Sequence, residues 1–125
     1  MSKILISINP VHVSKILSGE KKFEYRTKAP QRSVDTMVIY ETSPIKKVVA
    51  EAKILEVIEL PPEELWNETQ SRSGISKEFF DAYFKNRQVA YAYKLGEVKA
   101  YETQRELGFY GIKAAPQSFV YLNAE

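Results

Sequence analysis

Isoleucines at positions 4, 6 and 8 alternate with Leu5 and Ser7. Period two is the signature of a strand with two different faces, and it predicts a first strand over residues 3–8. Asn9-Pro10 then predicts a helix start, because asparagine caps free N–H groups and proline at the first helical position sacrifices no hydrogen bond. Val13, Ile16 and Leu17 share one face of this short helix, and Gly19 is placed to end it in a left-handed turn. Period two returns at Lys22-Phe23-Glu24-Tyr25-Arg26, with Phe23 and Tyr25 on one side and Lys22, Glu24 and Arg26 on the other. Residues 36–41 read as a third strand and Thr42-Ser43-Pro44 as a turn. Residues 46–60 form a β-rich stretch longer than an ordinary strand, so a bend or bulge is expected inside it.

Pro61-Pro62-Glu63-Glu64 opens a second helix, with acidic residues where the helix dipole favours them. Ser76 can cap a third, whose Phe79, Phe80, Tyr83 and Phe84 form an aromatic face expected to pack in the core. Residues 89–95 and 97–101 read as a hairpin turning at Gly96, and residues 118–122 as the last strand. Short strands dominate and few of them are separated by helices. The pattern therefore predicts an α+β chain: a small mixed β-barrel of about six strands with three short helices, and not a doubly wound parallel sheet.

At 125 residues the chain has the size of one ordinary domain, expected to span 1–125. A hydrophobic fraction of 44% and a charged fraction of 27% suit a globular protein and not a disordered one. There is no cysteine, which removes disulfides, thiolate nucleophiles and cysteine-ligated zinc. His12 is the only histidine, so paired-histidine metal sites are excluded and a serine–histidine triad is disfavoured. No metal and no cofactor is expected, since neither a dinucleotide fingerprint, a P-loop nor a nucleophile elbow occurs. The opening residues lack the features of a signal peptide, and no run is long enough to cross a bilayer; a cytoplasmic protein without membrane partners is expected. The net charge of +2 is unevenly spread: residues 1–53 carry ten Lys/Arg against five Asp/Glu, the remainder eight against eleven. Such asymmetry permits a basic face for phosphate-bearing partners, and it equally describes a solvated mixed surface.

Candidate chemistry concentrates in Gly19-Glu20-Lys21-Lys22-Phe23-Glu24-Tyr25-Arg26. Gly19 allows a tight helix-to-strand junction holding Lys21, and Glu24 and Arg26 lie two apart on one strand face. Three opposed charges would converge there, able to hold a polar ligand or to shift a pKa toward acid–base work. A solvent-exposed ladder of ion pairs, of little energetic consequence, satisfies the same spacing. His12 lies on the neighbouring helix, as a contact to the same ligand or as an ordinary surface histidine.

The run from Pro10 through Lys15-Ile16-Leu17-Ser18-Gly19 to Arg26 resembles the signature of ASCH domains, in the PUA-like superfamily: a short helix, then G-x-K-x-x-E-x-R entering a strand. Tyr40-Glu41-Thr42-Ser43-Pro44 is similar to the family's Y-x-S/T-S-P turn, with Lys47-Val48-Val49-Ala50-Glu51 resembling the strand after it. Pro116-Gln117-Ser118-Phe119 is similar to the close of a prokaryotic subgroup. The three matches occur in order over nearly the whole chain. They imply a PUA-like barrel with a cleft lined by Lys21, Glu24 and Arg26, Ser43 at its rim, and Gln117 and Ser118 as further candidates. Tyr40 would be either a base-stacking platform or a packed barrel tyrosine. The resemblance implies binding of RNA or a modified nucleoside, with a regulatory role among the uses. One alternative is an enzyme, an acetylcytidine amidohydrolase-like hydrolase or a ribonuclease, with Lys21 and Glu24 as the acid–base pair. Those amidohydrolases place a threonine nucleophile where this chain has Glu24, a departure that weighs against that reaction. A second alternative is a protein-interaction accessory domain. Whether the chain is an enzyme stays open at this point.

Overall fold

A computed structural model describes residues 2–122. The isoleucine alternation forms β1 (Lys3–Ile8), and Asn9 caps α1 (Pro10–Ser18) by accepting the His12 N–H at 3.1 Å. The chain continues through β2 (Phe23–Arg26), β3 (Thr36–Glu41) and β4 (Lys47–Leu60). Next come α2 (Pro62–Thr69), a short 3-10 turn, and α3 (Lys77–Tyr83), where Ser76 caps the helix by accepting the Phe79 N–H. A long β5 (Ala90–Arg105), a second 3-10 turn at Leu107–Tyr110 and β6 (Phe119–Leu122) complete it. The six strands form one mixed sheet in the order β2-β5-β4-β3-β1-β6, with β1 and β3 parallel and the other pairs antiparallel. This curled, barrel-like sheet with three helices is the expected α+β architecture.

The hairpin expected at Gly96 is not formed. Residues 90–105 run as one strand, and Gly96 lies opposite an irregular stretch of β4 where the register slips between Ala52 and Glu56. A Cβ at Gly96 would stand 2.9 Å from Leu55 Cδ2, so the glycine serves close packing instead of a turn. The bend anticipated in the long β-rich stretch is this same irregularity.

Ile4, Ile6, Ile8, Val13, Ile16, Met37, Ile39 and Tyr93 form the main core, inside the curl of the sheet. A second cluster joins Tyr25 to Leu65 and Trp66 of α2 and to Phe80 and Phe84 at α3. The aromatic face of α3 is therefore divided: Phe80 and Phe84 are buried, while Phe79 and Tyr83 are 48% and 40% exposed. The expected all-core stripe fails because Phe80 and Phe84 turn to Tyr25 and, for Phe80, to Trp66 of α2, while Phe79 and Tyr83 lie on the side of the helix left uncovered. A third cluster lies on the other face of the sheet, where Leu5, Val38, Tyr40 and Val48 are covered by Leu107, Tyr110 and Ile112. Among the described residues, no helix is long and apolar enough to cross a membrane.

Candidate functional site

Among the described residues the sheet ends at β2 on one side and β6 on the other. Although β5, β4 and β3 separate β2 from β1 in the sheet, the curl brings Arg26 of β2 to Ser7 of β1, where Nη2 donates to the carbonyl at 2.7 Å. The seam between β2, the end of β1, the start of α1 and Gln117, two residues before β6, leaves a cleft of about 290 Å3. Its lining includes His12, Lys21, Glu24, Arg26, Phe79, Tyr83 and Gln117.

Lys21 is placed by its backbone. Gly19 ends α1 with φ 86°, its N–H donating to Ile16; the Lys21 N–H then donates to Lys15 O at 3.0 Å and the Lys22 N–H to Arg72 O at 2.9 Å. These bonds pin the junction against the segment after α2. The Lys21 side chain is 2% exposed, its Nζ donating to Ser73 O at 2.9 Å and lying 4.8 Å from the Tyr25 ring centroid. Gly74 adopts φ +69°, and a Cβ there would lie 2.6 Å from Lys21 Cβ, so only glycine lets the segment close over the lysine. Burial lowers the Lys21 pKa to about 8, against the opposing pull of Glu24. At pH 7 the group is still mostly ammonium, with three donors and one protein acceptor among the described residues.

Glu24 and Arg26 face the same side of β2, as their period requires. Glu24 Oε2 accepts from Arg26 Nε at 3.1 Å and Nη2 at 2.9 Å. Glu24 is 4% exposed, and its other oxygen, Oε1, is buried without a hydrogen-bond partner among the described residues. Buried carboxylate oxygens are seldom left so, since an unmade hydrogen bond costs about 1–3 kcal/mol or more. His12 repeats the feature on the facing helix: Nδ1 is buried and unpartnered, and the ring meets Phe79 edge-on at 5.5 Å. Burial, then the nearby Lys21 charge, lowers the His12 pKa and keeps the imidazole neutral at pH 7. The charged lining is thus two cations against one carboxylate. Chemically the cleft offers a spare acceptor, spare donors, a surplus positive charge and two exposed aromatic rings. Tyr25, between the charged pair, also borders the cleft, but its hydroxyl is turned into the α2 cluster, bonding Thr69 Oγ1 at 2.6 Å, and burial pushes its pKa up to about 12.

Of the residues singled out in the sequence, Lys21, Glu24, Arg26 and Gln117 come together here. Tyr40, Ser43 and Ser118 do not line this cleft. Tyr40 is 7% exposed, packed in the outer-face cluster; Ser43 sits exposed in the turn after β3. Ser118 stands just before β6, its carbonyl accepting the Ser7 N–H at 3.4 Å. Four participants were not legible: Ser73 and Gly74, which wrap Lys21, and Phe79 and Tyr83, whose spacing matched a core stripe equally well. Among the described residues, no group of three His, Asp or Glu side chains could hold a metal ion.

The profile of the ASCH domain family matches residues 6–116. Over 121 residues the chain is 31% identical to the large ribosomal subunit protein uL22 of Ureaplasma parvum, and 29% identical to the ATP synthase subunit alpha of that species. Both matches take in 95% of this chain but only 39% and 15% of those longer proteins. An ASCH domain-containing ribonuclease of Zymomonas mobilis is 27% identical over 92 residues, 73% of this chain and 62% of that one. The crystal structure of ASCH from Zymomonas mobilis superposes with a TM-score of 0.88 at 24% identity, covering 97% of this chain and 87% of the other. At that identity the likeness is one of fold.

Proposed function

We propose that this chain, which belongs to the ASCH domain family, binds RNA by taking one nucleotide unit into the cleft at the seam of its barrel. The observation that carries this reading is Glu24 Oε1, an acceptor buried beside two cations and without a partner among the described residues. A base edge presenting an N–H to Glu24 and an acceptor to Lys21 satisfies both, and the surplus positive charge suits the attached phosphate. Phe79 and Tyr83 supply apolar walls against which a flat ring can lie. At about 290 Å3 the cleft sits at the small end of ligand sites, sized for a nucleoside or nucleotide and not for a longer stretch. A cytoplasmic location is part of the same proposal.

Calorimetric titration with a panel of nucleosides and nucleoside monophosphates tests it. Binding should weaken with salt for the phosphorylated members, and Glu24→Gln or Arg26→Ala should cost about 1–3 kcal/mol. Absence of binding across the panel at low salt would sink the reading.

A ribonuclease is the second reading, favoured by the name of the Zymomonas mobilis relative and by Lys21 poised near neutrality. Glu24 would accept the ribose 2′-hydroxyl proton, and the Lys21 ammonium would donate to the departing oxygen. Cleavage of single-stranded RNA by the purified chain, lost in Glu24→Gln, supports it. Cleavage that persists in that variant points to a contaminant.

A further inference from the structure

The far half of β5 holds a stacked cluster that the cleft does not use. Val48 of β4 pairs with Arg105, but Ala50 pairs with Ala100, so two steps along β4 face five along β5. The surplus residues bow out of the ladder, the usual way in which a bulge re-aims a side chain. Arg105 is brought back over Tyr101, its guanidinium carbon 4.2 Å from that ring and 4.8 Å from the ring of Phe109. Arg105 Nη1 donates to Tyr110 Oη at 2.9 Å, and the Tyr101 hydroxyl donates to Glu51 at 2.8 Å, so guanidinium and ring are both held. Nε and Nη2 of Arg105 are not used in these bonds. Phe109 meets Tyr110 edge-on at 5.1 Å yet is 68% exposed, while Leu107, Tyr110 and Ile112 around it pack onto the sheet. An open hollow of about 860 Å3 adjoins it, lined by residues 99–106 and Phe109.

We propose that Phe109 and Arg105 form a second nucleic-acid contact, in which a base of single-stranded RNA stacks on the open face of Phe109 and Arg105, with Lys99, meets the adjoining phosphate. The inference rests on the reading that the cleft takes one nucleotide of the same strand. A single strand is the fitting occupant because the base must leave its stack to present a face, and because an aromatic ring backed by a guanidinium accepts any base. The two sites are joined by one strap. Leu107, Tyr110 and Ile112 pack on the Leu5 face of β1; further along, Ser7 Oγ on that face donates to Pro116 O at 2.7 Å, and Gln117 enters the cleft. The eight steps from Phe109 to Gln117 span at most roughly 29 Å, within reach of a short oligonucleotide.

The test compares a labelled single-stranded RNA 8-mer, followed by fluorescence anisotropy, with nucleoside monophosphates followed by calorimetry, on the full chain. The 8-mer should bind more tightly than any monophosphate. Phe109→Ala should weaken 8-mer binding roughly 5- to 150-fold, the range for loss of one base–aromatic stack, and leave monophosphate affinity unchanged. Arg105→Lys should weaken the 8-mer as well, because an ammonium does not stack, whereas Phe109→Tyr should retain it. Thermal unfolding verifies that each variant is folded. An 8-mer affinity indifferent to Phe109, or no greater than that of a monophosphate, overturns the inference while leaving the cleft reading intact. Oligomer binding sensitive to Phe109 with no monophosphate binding at all keeps this contact and removes the cleft reading.

Discussion

Replacing Lys21 by methionine separates function from stability. Lys21 is 2% exposed and its pKa falls from 10.5 to about 8, so its charge is disfavoured in the fold by about 3 kcal/mol at 1.36 kcal/mol per pH unit. Methionine keeps an apolar stem of similar length against Tyr25 and removes that cost. It also orphans the Ser73 carbonyl, a loss of about 1–3 kcal/mol. Glu24 is not left unpaired, because Arg26 holds it at 2.9 Å. The net expectation is a variant between equal and about 2 kcal/mol more stable at pH 7, with ligand binding lost. A lysine belonging to an essential buried ion pair would instead cost about 3–5 kcal/mol on removal.

The dependence on pH supplies the sign. Above pH 8 folded Lys21 releases its proton while the unfolded chain retains it up to pH 10.5, so the unfolded state binds more protons and stability rises with pH. Between pH 7 and 9.5 the wild type should gain about 2 kcal/mol relative to Lys21→Met, a relative shift in urea midpoint on the order of 1 M. Urea denaturation of both proteins at the two pH values measures it. A variant at least 3 kcal/mol less stable at pH 7, or two proteins with parallel pH profiles, would refute the reasoning.

Gly74→Ala should destabilise by about 1–2 kcal/mol for the left-handed backbone, with a further 1–3 kcal/mol for crowding Lys21. A loss under 1 kcal/mol in chemical denaturation would show that the segment can move off the lysine. His12 should titrate below its ordinary value in an NMR pH series. Because its folded pKa is lowered, the unfolded state takes up the proton first, so stability should fall as the pH drops below about 6.5. A His12→Gln variant should lose that part of the acid sensitivity; an unaltered profile contradicts the assignment.

Local pattern and chain chemistry determined most of the elements and the centre of the cleft. Asparagine before proline set the first helix, the isoleucine alternation set β1, and the two-residue spacing of Glu24 and Arg26 put both on one strand face. Each of these follows from neighbours within a few residues, where backbone periodicity is the whole argument. Whether those charges form a solvated ladder or a buried cleft was not decidable locally. Only the curl of the sheet brings Arg26 to Ser7, and only the segment around Gly74, more than fifty residues on, buries Lys21. The same holds for Gly96, whose meaning as a packing position depends on Leu55 across the sheet. Phe79 and Phe80 are adjacent in sequence and alike in hydrophobicity, yet one is 48% exposed at the cleft and the other 1% exposed in the core. Helical spacing sorts residues by angle, but which angle faces water is decided by what packs against the helix, a long-range fact that periodicity does not contain.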